Sequence, residues 1–549
     1  MNFNVASYLQ KMAAEHPNNV ALKVPKKRHS VKNNAYHVLS FSELNHNANC
    51  CAEGLKKVGV EPGKRVLMMV RPGKEMLTFA FALFKVGAVP ILIDPGMGLK
   101  SMLSCVERTK PEVLVGIPQA HLVSLVFRKY FSKIKIRVTV GKRLGWGGEC
   151  YSKMLSKNSG VFTDYDATKN DLAAILFTSG STGSPKGVCY EHGHFHTQLE
   201  LLKNYFKIEA GGIDLPMLPI FTLFNPALGL QTVVPKMHPG KPASFKPELI
   251  VNAILEESIT QSFGSPVLWK KIVTYCENKN LKLTSLKLIL IAGAPVPPVL
   301  LEALKVITPN AKIHTPYGAT EALPIACIES KDILLKTRPL TESGKGMCVG
   351  LALPGISIRI IESKEGSIDG IKETRECVTG EIGEIIVKGD NVTSRYDENP
   401  EASAMAKIND GESFWHRMGD LGYLDEEDRL WFCGRKSHCV KSHVGVFYSV
   451  CCEAIFNDHP KVNRSALIYI GKGRETMPAL VVESQAINTS NAKVIAIELS
   501  ELAQAHEHTK EIKTFYCKPS FPVDVRHNAK IHREELSEWA VQQKDLTNW

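Results

Sequence analysis

Short apolar runs of strand length alternate with helical periodicity through most of this chain, and that alternation constrains its fold class more than any other feature. Arg65-Val66-Leu67-Met68-Met69-Val70, Val89-Pro90-Ile91-Leu92-Ile93 and Leu286-Lys287-Leu288-Ile289-Leu290-Ile291 read as short buried strands, several followed by Gly/Pro turns. Between them, Phe41 to Val58 and Pro247 to Glu257 repeat apolar residues at helical spacing. Alternation of this kind predicts α/β layers with largely parallel sheets. At 549 residues the chain is too long for one core and should form at least two domains. The pattern changes after Trp431-Phe432-Cys433-Gly434-Arg435-Lys436-Ser437. Apolar runs follow at Val446 to Ile455, Ala466 to Ile470 and Ala479 to Glu483, with helices around Ile497 to His506 and Arg533 to Gln543. That predicts a compact α+β unit, with a boundary near 434–437 dividing the chain into 1–434 and 435–549.

One strand-like run carries a second message. Ala173-Ala174-Ile175-Leu176-Phe177 leads directly into Thr178-Ser179-Gly180-Ser181-Thr182-Gly183-Ser184-Pro185-Lys186-Gly187. Such a loop can wrap a polyphosphate: glycines let backbone N–H groups approach the oxygens, hydroxyls donate hydrogen bonds, and Lys186 supplies charge. The Gly-Lys-Ser/Thr ending of a Walker A loop is absent. A flexible Gly/Ser linker would lack the strand before it and the Pro185-Lys186-Gly187 exit after it.

Composition excludes several classes. With 44% apolar and 22% charged residues, no repeat and no low-complexity tract, the chain has the make-up of an ordinary globular protein. Its net charge of +11 is diffuse. The small cluster Lys26-Lys27-Arg28 lies among polar residues without interleaved aromatics, which reads as a solvated loop rather than a nucleic-acid or membrane patch. Diffuse positive charge suits an enzyme with anionic substrates. Phe79 to Ile93 comes nearest to a membrane span, but Lys85, Gly87 and Pro90 interrupt it, predicting a buried helix that runs into a strand. No signal-peptide pattern is visible, and fourteen cysteines without Cys-x-x-Cys spacing suggest free thiols and a cytoplasmic location. Glu191 to His196 and His438 to His443 each group potential metal ligands, yet neither completes a four-ligand zinc spacing.

Three further segments carry chemistry. Thr315-Pro316-Tyr317-Gly318-Ala319-Thr320-Glu321 offers an aromatic face for a purine and a carboxylate as a hard ligand for magnesium beside phosphates. Alone, the same run also reads as a helix N-terminus with an acid in its first turn. Trp415-His416-Arg417-Met418-Gly419-Asp420 precedes Gly434-Arg435, and Pro522-Val523-Asp524-Val525-Arg526-His527-Asn528-Ala529-Lys530-Ile531 closes the series. In this order, and with the 178–187 loop, these segments resemble the adenylate-forming superfamily of acyl-CoA synthetases, peptide-synthetase adenylation domains and luciferases.

The resemblance implies a large N-terminal AMP-binding domain, a small mobile C-terminal lid, and ATP and Mg²⁺ as cofactors. It implies that Thr178, Ser179, Gly180, Ser181, Thr182, Gly183 and Lys186 hold the phosphates. Tyr317 would stack on adenine beside Gly318, with Gly293 and Ala294 also on the nucleotide. Thr320 would contact phosphate and Glu321 would hold Mg²⁺, while Asp420, supported by Arg435, would accept from the ribose hydroxyls. Lys530 would bridge the carboxylate and the α-phosphate. Two positions depart from the superfamily pattern: Ala529 stands where glycine is usual, and Ser437 occupies the hinge position, commonly Asp or Lys.

Flanking segments narrow the resemblance. Ile93-Asp94-Pro95-Gly96-Met97-Gly98, Val188 to Phe195, Asp214-Leu215-Pro216, Phe221 to Gly229, Tyr317 to Pro324 and Arg526 to Lys530 are similar to the OleC-type β-lactone synthetases of bacterial olefin biosynthesis. That branch implies a 2-alkyl-3-hydroxy fatty acid as substrate, adenylated and then closed to a β-lactone by its own hydroxyl, without coenzyme A. The alternative is a long-chain acyl-CoA ligase, which would add a thiol site on a rotated lid. On the lactone reading, Phe221, Leu223 and Phe224 are candidates for an apolar acyl pocket, and equally for ordinary core. His192 is a candidate to orient the hydroxyl or a phosphate. A thiolase-type enzyme, a reductase and a β-lactone decarboxylase are the pathway partners the resemblance implies.

Overall fold

The computed structural model describes residues 2–26, 35–178, 185–238, 244–471, 473, 476–523 and 531–548. Two large sheets dominate. A seven-stranded sheet runs in the order Glu149–Cys150, Ile136–Thr139, Val113–Gly116, Arg65–Met69, Val89–Leu92, Leu172–Thr178, Lys186–Glu191. Its strands are parallel except the last pair, an antiparallel hairpin in which Thr178 faces Lys186. The phosphate-loop sequence therefore joins two hydrogen-bonded strands, although residues 179–184 lie outside the described residues.

A fourteen-stranded sheet supplies the rest of the frame. Its middle strands, Gln261–Gly264, Leu288–Ile291 and Lys312–Ala319, are parallel. From Lys312–Ala319 onward the order is antiparallel, through Ala322–Glu329, Met347–Ala352, Leu430–Arg435 and Ser413–Leu424. After Arg435 the chain leaves this sheet. It builds a hairpin, Val440–Ser442 with Gly445–Phe447, and a separate three-stranded sheet of Arg464–Ile470, Met477–Glu483 and Phe515–Lys518. The architecture is mixed α/β with a smaller C-terminal sheet unit.

The expected strands and helices are present with small shifts. The helix read at Phe41 to Val58 spans Phe41–Lys57 and starts on a capping box, the Ser40 hydroxyl accepting from Glu43 N and the Glu43 carboxylate from Ser40 N. The segment interrupted by Lys85 is the helix Lys74–Val86, followed by the strand Val89–Leu92. Every side chain from Met76 to Val86 is buried, Lys85 included, because its ammonium lies 3.0 Å from the Asp164 carboxylate. Among the described residues no helix is long and apolar enough to cross a membrane. All fourteen cysteines are free thiols, most of them in the core.

One local reading is corrected. The run Tyr317 to Glu321 does not open a helix; Lys312–Ala319 and Ala322–Glu329 form an antiparallel hairpin whose turn carries Thr320 and Glu321. Glycine is required at 318, since a Cβ there would stand 2.6 Å from the Ala322 carbonyl oxygen.

Candidate active site

The strands Ser413–Leu424 and Leu430–Arg435 pair so that Asp420 faces Arg435. Arg435 Nη1 lies 3.0 Å from Asp420 Oδ1, and the Tyr317 hydroxyl donates to Asp420 Oδ2 at 2.6 Å. Asp420 and Arg435 meet because their strands pair, and Tyr317, on a strand three places along the same sheet from Leu430–Arg435, reaches the same carboxylate through its hydroxyl. Burial, and then the Asp420 charge, hold the Tyr317 phenol far above its ordinary range, so it stays a donor. Asp420 in turn raises Arg435. An ionised carboxylate has about four acceptor sites, so Asp420 retains capacity for hydroxyl donors.

Glu321 sits at the hairpin turn beside this cluster. Its Oε1 accepts from the Tyr396 hydroxyl at 2.8 Å, and its carbonyl accepts from Thr393 N and Oγ1 at 2.9 and 3.0 Å. The neighbouring Thr320 carbonyl accepts from the Tyr190 hydroxyl at 2.5 Å. Lys186 Nζ stands 5.1 Å from the centre of the Tyr396 ring, placing cation, ring and carboxylate in series. Behind them Lys407 donates to the Thr393 carbonyl. Burial depresses its amine to about 7, with Glu321 opposing. Sequence reasoning missed Tyr396 and Lys407, which lie in runs with no motif of their own, and gave Tyr190, inside the 188–195 segment, no role.

Lys186, Tyr190, Thr320, Glu321, Tyr396, Asp420 and Arg435 line one cavity of about 2210 Å³, together with Gly293, Ala294, Tyr317 and Gly318. Ligand pockets are commonly 300–1,000 Å³, so this one has room for more than a nucleotide. Away from the charged end its wall is apolar. Phe221 stacks on Phe263 at 3.9 Å between ring centres, and Phe224 packs 6.0 Å from Phe195. Met76, Ala80 and Phe84 reach it from the helix Lys74–Val86. Phe221, Leu223 and Phe224 are thus cavity wall, and partly exposed to it, rather than sealed core.

His192 is placed elsewhere. It is 2% exposed, does not line the cavity, and its Nδ1 accepts from Val5 N at 3.2 Å while its ring edges onto Phe84 at 6.0 Å. Burial lowers its pKa to about 4, so it is a neutral core histidine. Lys530 and residues 179–184, with them Ser179, Gly180, Ser181, Thr182 and Gly183, lie outside the described residues. Val523 and Ile531, which bracket the 524–530 segment, line the same cavity and bridge to each other. Among the described residues no three His, Cys, Asp or Glu side chains converge as a metal cluster. A magnesium ion carried by substrate phosphates needs only one or two protein carboxylates, and Glu321 at the turn fits that role.

Comparison with known proteins agrees with this geometry. A family model described as AMP-binding enzyme matches residues 9–397. The chain is 42% identical over 550 residues to the olefin β-lactone synthetase of Xanthomonas campestris pv. campestris, covering 98% of each. It is 40% identical to the olefin β-lactone synthetase of Stenotrophomonas maltophilia, again over 98% of both. The amide bond synthetase McbA from Marinactinospora thermotolerans shares the fold at TM-score 0.79, with 18% identity over 98% of this chain and 99% of that one. So does the O-succinylbenzoate coenzyme A synthetase of Bacillus subtilis in complex with ATP and magnesium ion, at TM-score 0.75, with 20% identity over 96% and 98%. Matched across most of its length and by relatives 40% and 42% identical, the chain belongs to the AMP-binding, adenylate-forming enzyme family.

Proposed function

We propose that the protein uses ATP to adenylate a long-chain 2-alkyl-3-hydroxy acid and that the substrate's β-hydroxyl then displaces AMP to give a β-lactone. The observation that carries this reading is the end-to-end 42% identity to an olefin β-lactone synthetase. The cavity supports it by joining a charged end to an apolar chamber. In the first step a carboxylate oxygen attacks the α-phosphorus of ATP and pyrophosphate leaves. Asp420 accepts from the ribose hydroxyls with Arg435 beside it, and the Tyr317 face meets the adenine. Lys186 and the 178–183 loop hold the phosphates, and Lys530 bridges carboxylate and α-phosphate. Bound at Glu321, Mg²⁺ would offset charge on the phosphate oxygens. Most of the catalysis is positioning and electrostatics.

In the second step the hydroxyl attacks the acyl carbon and AMP departs. Closing a four-membered ring is strained, and the mixed anhydride supplies the driving force while the cavity holds the chains in a near-attack shape. On this reading the chain divides into 1–434 and 435–549, the second unit being the lid that brings Lys530 to the site. Incubation with ATP, Mg²⁺ and a racemic 2-alkyl-3-hydroxy acid, with and without coenzyme A, tests it. A lactone carbonyl band without coenzyme A is expected. Strict coenzyme A dependence with thioester as product would replace this reading by an acyl-CoA ligase.

A further inference from the structure

Gln198, on the helix His192–Asn204, lines the cavity yet is only 3% exposed. Its Nε2 donates to the Leu323 carbonyl at 2.8 Å. A carbonyl only accepts, so the NH₂ end of the amide must face Leu323, and Oε1 is the opposite end. That oxygen is buried and has no hydrogen-bond donor among the described residues. Buried side-chain oxygens are nearly always partnered, so an orphaned one on a cavity wall asks for a ligand donor.

The surroundings offer none. The Tyr190 hydroxyl already donates to the Thr320 carbonyl, and the Gln198 amide donates toward the phenol oxygen. Phe195, on the same helix, packs 5.1 Å from Tyr190 and 6.0 Å from Phe224, and provides only carbon. Leu323 and Thr320 flank the Glu321 turn. Gln198 therefore stands between residues of the phosphate-handling end of the cavity and residues of its apolar chamber, beside the place where the first carbons of an acyl chain would lie.

We propose that Gln198 Oε1 accepts the hydrogen bond of the substrate's β-hydroxyl and positions it for ring closure, an inference that rests on the β-lactone reading. The hydroxyl oxygen forms a bond to the acyl carbon as the bond from that carbon to the AMP phosphate oxygen breaks. AMP takes the electron pair, and once the oxygen has begun to bond to the acyl carbon its proton leaves the hydrogen bond with Oε1 for a phosphate oxygen of the departing AMP. Gln198 neither gains nor loses a proton. It holds the O–H directed away from the acyl carbon, which leaves an oxygen lone pair directed at it.

ATP–pyrophosphate exchange reports adenylation alone, and lactone release reports the second step. Both are measured on wild type and Gln198→Leu, with the 3-hydroxy acid and with the 3-deoxy acid of the same chains. Wild type should take the hydroxy acid with a KM at least about tenfold below that of the deoxy acid. In Gln198→Leu the two KM values should converge and lactone release should fall, while exchange with the deoxy acid stays within about threefold of wild type. Equal KM values in wild type, a result that needs no variant, overturn the inference. So does a variant that slows exchange on both acids by the same factor, which is what a structural role through Leu323 produces. Thioester formation in place of lactone sinks the β-lactone reading instead, and the KM ratio then still decides whether Gln198 reads the hydroxyl.

Discussion

The two ends of the cavity are built differently. At the nucleotide end, Asp420 and Arg435 stand on adjacent strands, and Tyr317, on a strand farther along the same sheet, bonds to Asp420 through its hydroxyl. At the acyl end, Phe221, Leu223 and Phe224 stand on a short 3-10 turn and the residue after it, packed against rings and methionines without a polar tie. Hydrogen bonds fix direction, so the first wall can accept one ligand geometry. Dispersion and apolar burial are non-directional, so the second can change its lining without losing the fold. The contrast predicts that changes at the first end affect every substrate alike, whereas changes at the second discriminate among them.

The comparison breaks most severely if the frame behind the nucleotide end is cut. Glu384, 2% exposed, accepts from Arg417 Nε and Nη2 at 3.0 and 2.7 Å and lies 3.2 Å from Lys436 Nζ. Glu384→Ala leaves the buried Arg417 guanidinium without its carboxylate and should cost about 3–5 kcal/mol in urea denaturation. Next comes Asp420→Ala, which removes the acceptor shared by Tyr317 and Arg435. ATP–pyrophosphate exchange should drop about 10²–10³-fold on acids of any length. A loss confined to long acids would show that the two ends are not separable.

The acyl end predicts the opposite selectivity. Phe224→Ala should reduce kcat/KM about tenfold on long acids and leave short ones nearly unchanged, because only a long chain reaches that wall. Equal losses on both remove the pocket assignment. The last effect is read in stability rather than activity, and concerns the support beneath this turn. Asp214 is buried, its carboxylate accepts from Asn225 Nδ2 at 2.8 Å, and burial raises its pKa from 3.8 to about 7. The folded state therefore binds the proton more tightly than the unfolded chain. The stabilisation is fully present below about pH 4 and is lost as pH rises through 7. Asp214→Asn should gain on wild type by on the order of 2 kcal/mol between pH 5 and 8, read from paired urea melts.

Much of the frame was legible in the sequence because it rests on periodicity. Asp420, Arg435, Tyr317 and Glu321 were readable because their segments, taken in order with the 178–187 loop, resemble the adenylate-forming superfamily; alone, a Gly-Asp turn or a Tyr-Gly run has commoner uses. His192 misled for a physical reason: a histidine next to a phosphate loop looks functional, and only the fold shows that Val5 N occupies its Nδ1. Tyr396 and Gln198 escaped because their partners, Glu321 and the Leu323 carbonyl, are distant in sequence. A lone glutamine gains meaning only when one of its two ends is seen to be taken. The α/β alternation and the change after Arg435 were likewise visible, whereas the hairpin at 317–321 needed its partner strand to be recognised.

The register that sets Asp420 opposite Arg435 also bears on the unfolding order of the molecule. A site made by ladder pairing inside a fourteen-stranded sheet cannot loosen by itself; it persists until those strands part. On the proposed reading, a nucleotide arriving there would find its partners already arranged, and the conformational entropy of arranging them would belong to folding rather than to binding.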